Sequence, residues 1–223
     1  MIKEPDVALT DFALAAECAV LGWLMWRGRR PRSGAHGWAA AFFGSVGTAA
    51  LIGGCVHGFF PERDSSMHAL LWWTSLVAIG AAAMSAWATG AYWILPAKTA
   101  RRVACAAAAE FALYVLAVTA FWREFGVAIV NYLPAMGFML LSAVLTYRRR
   151  RAPQALAGAT GIVLTFAATF IQIAQIPIHP DFFDHNALYH LIQGIALFLI
   201  FRWTRSANQA IRTPDDIPGG VLT

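Results

Sequence analysis

Seven long apolar stretches, separated by short polar segments, constrain this chain more than any other feature. They cover residues 8–26, 37–60, 68–94, 103–122, 126–147, 155–176 and 186–203. About 20 apolar residues are enough for a helix to cross a bilayer, and none of the stretches alternates as a barrel strand does. Because a backbone in lipid must satisfy its own hydrogen bonds, the pattern predicts an all-α membrane protein. The expected fold is a bundle of seven transmembrane helices over residues 1–205.

The composition excludes several classes of protein. Hydrophobic residues make up 59% of the 223 residues and charged residues only 13%, about half of the roughly 25% found in soluble domains. This excludes a soluble enzyme and a disordered chain. The three cysteines all lie inside apolar stretches, which argues against a secreted disulfide scaffold. The net charge is +5, but the basic residues form no patch with interleaved aromatic residues, so no nucleic-acid partner is expected.

The basic residues predict the orientation of the bundle. Fourteen of the seventeen follow the first, third, fifth or seventh stretch, whereas Lys3, Arg63 and Arg123 lie at the other end. The positive-inside rule therefore predicts an N-terminus outside, a cytoplasmic C-terminus and a loose cytoplasmic tail over residues 206–223. Fifteen of the seventeen are arginine, a bias that suggests a GC-rich genome and fits a bacterial inner membrane.

Histidines concentrate at the predicted outer end. His36 is expected in the loop before the second helix, on the cytoplasmic side. The other five fall on the outer side, either near the ends of helices two, three and seven or in the loop before helix seven: His57, His68, His179, His185 and His190. Ionisable residues at membrane depth are costly and usually mark function.

Helical spacing selects a candidate metal site from this group. Asn186 and His190 share a helix face at a separation of four residues, whereas His185 points about 140° away from His190. A short turn joins the helices that carry His57 and His68, so these two are expected at similar depth. The convergence of His57, His68 and His190, with Asn186 beside them, is typical of a zinc site with an open position for water. Each histidine could instead be a hydrogen-bonded polar residue of the headgroup region.

Two carboxylates could assist such a site. Asp11 is expected near the outer end of helix one and Asp184 precedes helix seven, so either could orient an imidazole or take a proton from bound water. Asp11 could equally be a simple helix cap. Asn131, Gln172 and Gln175 are expected to hydrogen-bond between helices.

These segments resemble those of the seven-helix membrane hydrolases that include the alkaline ceramidases and the adiponectin and progestin receptors. The ceramidase pattern has Ser-x3-His late in helix two, an Asp eleven residues later, and His-x3-His at the start of helix seven. In this chain the two positions of Ser-x3-His fall on Gly53 and His57, the Asp position on His68, and the His-x3-His positions on Asn186 and His190. The resemblance implies a seven-helix fold, zinc as cofactor and membrane lipids as substrates, as in a divergent member.

The departures from the pattern leave three hypotheses open. An intramembrane zinc-dependent hydrolase would cleave a lipid amide or ester. A non-catalytic membrane subunit or receptor-like protein would bind a lipid, a membrane protein partner or a second copy of itself, and the missing Ser and Asp favour it. A haem protein would use His57 and His190 as axial ligands.

Overall fold

A computed structural model describes residues 2–28, 34–179 and 183–210. These residues form seven helices: α1 (Pro5–Arg27), α2 (Gly34–Phe59), α3 (Ser66–Ile94), α4 (Ala97–Ala120), α5 (Phe125–Arg150), α6 (Pro153–Ala174) and α7 (His185–Ala210). All seven are long and apolar enough to cross a membrane. The predicted helical fold is confirmed, and the helices indicate an integral membrane protein.

Local signals account for several helix ends. Helices α1 and α6 begin with Pro5 and Pro153. The missing proline N–H costs nothing there, because the first N–H groups of a helix have no acceptor within the helix. The Ser65 hydroxyl caps α3 by accepting from the main-chain N–H of His68 at 3.1 Å. Arg151 and Gln175 end α5 and α6 in the left-handed conformation.

Two boundaries differ from the sequence-based expectation. His36 was expected in a loop, but it lies in the first turns of α2 and is buried, so that expectation is wrong. Helix α7 continues to Ala210, five residues past the expected end of the bundle at residue 205. The rest of the expected tail, residues 211–223, lies outside the described residues.

Six helices close into a ring, in the order α1, α2, α3, α5, α6 and α7, with α7 packed against α1. Helix α4 packs against α3 on the outside of this ring. The ring has two ends. The histidine end is formed by the start of α1 and the α2–α3, α4–α5 and α6–α7 connections. The arginine end is formed by the opposite helix termini, including Arg27 and residues 148–151.

The half of the ring toward the arginine end is filled with apolar side chains. Phe42 and Phe43 of α2 are fully buried there, and Phe43 packs edge-on against Phe201 at 6.1 Å between ring centroids. Trp203 is 1% exposed and lies against Gly158, where a Cβ atom would come within 2.6 Å of the Trp203 side chain. Small residues thus allow the close helix approach that packing in a membrane requires.

Candidate functional site

A cavity of about 840 Å³ occupies the histidine-end half of the ring. All six ring helices line it, and α4 contributes no lining residue among those described. Every site residue predicted from the sequence lies on its wall: Asp11, His57, His68, Asp184, Asn186 and His190. The structure therefore brings the predicted residues of four chain segments to one place.

Asp11 and His190 form a buried pair of predicted residues on two different helices. His190 Nε2 lies 3.2 Å from Asp11 Oδ1, and the two side chains are only 12% and 4% exposed. Asp11 stands well inside α1, which begins at Pro5, so the alternative that it caps this helix is wrong. The pair joins α1 to α7, which closes the ring.

Thr10 lies beside the other ring nitrogen of His190. The single Thr10 hydroxyl hydrogen is shared between the carbonyl oxygens of Asp6 and Val7, both at 2.9 Å. In the tautomer that carries its hydrogen on Nδ1, His190 can donate to the Thr10 oxygen, which lies 3.3 Å away. In that tautomer Nε2 faces Asp11 and can share a proton with the carboxyl. A buried carboxyl and imidazole that share a proton are equipped for acid–base chemistry.

Gly53 explains how Asp11 reaches this position. A Cβ atom at residue 53 would lie 2.9 Å from Asp11 Oδ2 and 3.2 Å from Oδ1, closer than side-chain carbons pack. The Asp11 carboxyl therefore fills the space that a side chain at position 53 would need.

His57 and His68 are each held through one ring nitrogen. His57 Nδ1 pairs with Glu4 Oε2 at 2.5 Å. His68 Nδ1 donates to the carbonyl oxygen of Phe60 at 2.7 Å, and its ring stacks on Trp72. Neither Nε2 atom has a hydrogen-bond partner among the residues that the structure describes. Both Nε2 atoms are therefore free to accept from a ligand or to bind a metal.

The three histidines share one mode of attachment. In each, Nδ1 is bound to a fixed acceptor, namely a carboxylate, a main-chain carbonyl or a hydroxyl. Histidines that ligate metals are oriented in this way. In the described parts of the chain, however, no group of three or more His, Cys, Asp or Glu side chains has an arrangement that could hold a metal ion. Imidazole nitrogens are ligands that zinc accepts. To bind one zinc ion, however, the three Nε2 atoms would still have to converge.

Asp184 and Asn186 form a hydrogen-bonded chain that ends on α6. Asp184 accepts from the main-chain N–H of Ala187 and from Asn186 Nδ2, both at 2.9 Å. Asn186 Oδ1 accepts from Gln172 Nε2 at 2.5 Å. Both oxygens of Asp184 are thus engaged at the start of α7, as in a helix cap. The expected role of Gln172 as a link between helices is confirmed, and the roles of Asp184 as a base and of Asn186 as a ligand stay predictions.

Several lining residues were not identified from the sequence. Glu4 and Thr10 contact histidines 53 and 180 residues away along the chain, and no local spacing reveals such pairs. Gln193 could have been identified, because it lies one turn beyond His190 on the same face of α7. His185, set aside because of its angle to His190, also lines the cavity.

Comparison with known proteins gives a family but no activity. No curated protein and no solved structure matches the chain. One family matches residues 7–209, which span all seven helices and all the predicted site residues, and its description states that its function is unknown. Because the match covers most of the sequence, the chain belongs to this family, the family of unknown function DUF6962.

Proposed function

We propose that this protein is an intramembrane hydrolase that cleaves an amide or ester bond of a lipid, with a zinc ion held by His57, His68 and His190. The observation that carries the proposal is the common anchoring of the three rings through Nδ1 in one cavity. Nε2 has no partner among the described residues in His57 and His68, and in His190 it faces the Asp11 carboxyl at 3.2 Å. The proposal includes an outward-facing histidine end, since most of the arginines and lysines stand at the other end.

The cavity suits a lipid substrate. Its wall combines apolar side chains, among them Leu14, Val46 and Ile79, with the polar groups at the histidine end. The apolar part would hold an acyl chain, and the polar part would hold the bond to be cleaved.

The residues around the proposed zinc site would have different roles in the reaction. A bound zinc ion would polarise the substrate carbonyl and lower the pKa of a water molecule. Asp11 is placed to take the proton of that water, because its carboxyl lies 3.2 Å from the His190 ring. Glu4, Thr10 and the Phe60 carbonyl would hold the three imidazole rings in their orientations through Nδ1.

The test is fatty-acid release by the purified protein in detergent. Lipids with one N-acyl or O-acyl chain are incubated with wild type, His57→Ala, His190→Ala and His185→Ala, and the free acid is measured by mass spectrometry. Turnover by wild type and His185→Ala, with loss of about 10³-fold in the other two variants, is the expected result. Equal turnover by wild type and His190→Ala would contradict the proposal.

A second candidate is a lipid-binding or receptor-like protein without catalysis. It is favoured by one observation: the described residues offer no ready group of three metal ligands. In that case Asp11 and His190 would be a buried polar contact that joins α1 to α7. Lipid that co-purifies with the protein and is never converted would support this candidate over the hydrolase.

A further inference from the structure

The cavity wall carries a deeply buried amide oxygen that no described residue hydrogen-bonds. Gln193 is 2% exposed and lines the cavity, and its Oε1 atom is buried without a hydrogen-bond partner among the described residues. Leaving a buried acceptor unpaired costs the full desolvation of that group, so such atoms call for an explanation. A ligand that donates a hydrogen bond at this point would remove the cost.

A second unpaired acceptor lies near the start of α7. The Asp184 carboxylate can only accept, so Asn186 must turn its Nδ2 toward it, and Asn186 Oδ1 must then face Gln172 Nε2. This series of hydrogen bonds fixes the orientation of the Gln172 amide and uses its Nε2 atom. The Oε1 atom of Gln172 is buried and has no hydrogen-bond partner among the described residues. The orientation thus follows from the hydrogen bonds themselves.

The two glutamines stand on either side of His190. Gln172 bonds to Asn186, which lies one turn before His190, and Gln193 lies almost one turn after it. Asn186 and Gln193 are separated by about 10 Å along α7. Unpaired acceptors therefore flank the imidazole at which the proposed chemistry would take place.

We infer that Gln193, assisted by Gln172, is a recognition site for hydroxyl or N–H groups of an amphiphilic ligand. The ligand class is a single-chain lipid whose polar head carries hydrogen-bond donors beside the bond near His190. This inference deepens the proposed function and rests on it in so far as the same cavity receives the substrate. Gln193 is a specificity residue here, since it touches the ligand head.

The test uses a ligand pair that no hydrolase can cleave. Binding of 1-O-dodecylglycerol and of its dimethyl ether to the purified full chain is measured by isothermal titration calorimetry in a non-ionic detergent. The two probes have the same chain and the same acceptors, and only the first has donors. Wild type is expected to bind the diol about tenfold more tightly than the ether.

Two variants identify the group responsible. Gln193→Met keeps the side-chain volume and removes the acceptor, so the preference is expected to fall to about twofold or less. Thr169→Val is the matched control, because Thr169 also lines the cavity but its hydroxyl is already bound to the Thr165 carbonyl at 2.9 Å. This control is expected to keep the tenfold preference.

The outcomes separate this inference from the proposed function. Equal binding of both probes by wild type overturns the inference even if no variant folds, and so does an unchanged preference in Gln193→Met. A preference that depends on Gln193, in a protein that releases no fatty acid from any lipid, supports the recognition site and contradicts the hydrolase.

Discussion

The two halves of the ring are built from the same helices and yet have opposite interiors. The inward face of α7 carries Asn186, His190 and Gln193 at the histidine end and continues as the buried residues Leu197 and Ile200 toward the arginine end. The first half encloses a cavity of about 840 Å³, whereas the second is filled with aromatic and aliphatic side chains. One helical face therefore changes from polar and open to apolar and closed within about four turns.

The contrast indicates how stability and chemistry are divided. Dispersion contacts and small residues hold a membrane bundle together, because lipid provides little hydrophobic force between helices. The arginine-end half concentrates such contacts around Phe43, Phe201 and Trp203. The histidine-end half keeps polar groups that are costly in a membrane. We therefore expect substitutions in the arginine-end half to change stability, and substitutions in the histidine-end half to change function.

The largest effect on stability is expected from Trp203→Ala. Trp203 is 1% exposed and packs on Trp93 at 5.1 Å between ring centroids and against Gly158. Its truncation should lower the free energy of unfolding in detergent by about 3–5 kcal/mol. Phe198→Ala is the control on the same helix, since Phe198 is 49% exposed and should change stability little. Equal effects of the two would remove the distinction between a packed half and an open half.

A functional effect without a stability effect is expected from Asp11→Asn. The amide keeps the size of the side chain beside Gly53 but cannot act as a base. Turnover should fall by about 10²-fold or more, while the unfolding temperature in detergent stays close to that of wild type. If turnover is kept, Asp11 serves packing alone.

The close approach of Asp11 to α2 is tested by Gly53→Ala. The added Cβ would lie 2.9 Å from an Asp11 oxygen, so the carboxyl must move, at an expected cost of about 1–2 kcal/mol in stability. Gly44→Ala on the same helix is the matched control, since no atom of the described residues lies within 4 Å of its Cβ position. The free energies of unfolding of both variants are measured by chemical denaturation. A difference of less than about 0.3 kcal/mol between them would show that the contact between Asp11 and α2 is unimportant for stability.

The smallest effect is expected from Asp184→Ala. This variant loses the cap of α7 and the bond to Asn186, at a cost of about 1 kcal/mol in unfolding free energy. Turnover should fall by less than about tenfold if Asp184 is a structural cap. A loss as large as that of Asp11→Asn, where general bases contribute about 10²–10⁴-fold, would instead support the sequence-based prediction that Asp184 is a base.

The sequence predicted the helices well because lipid imposes a simple rule. A membrane helix needs a long apolar run, and each of the seven runs proved to be one helix. The predicted residues also line one cavity, since polar side chains at similar depth in a closed ring must share its interior. His57, His68 and His190 were identified for this reason alone.

The partners of those residues could not be predicted. His57 meets Glu4, and Thr10 meets His190, only because α1 packs between α2 and α7. No periodicity within one helix reports which neighbour it will have. The roles of Asp11 and Asp184 were likewise open, because the sequence did not show that α1 begins at Pro5 or that α7 begins beside Asp184.

The proposed three-histidine zinc site is tested most directly by the metal content of the purified protein. Elemental analysis is carried out on wild type, on His190→Ala and on His185→Ala, all loaded with zinc and then freed of excess metal. We expect about one zinc ion per chain in wild type and His185→Ala, as in three-histidine catalytic sites, and none in His190→Ala. No stoichiometric zinc in wild type, or the same content in His190→Ala, would contradict it.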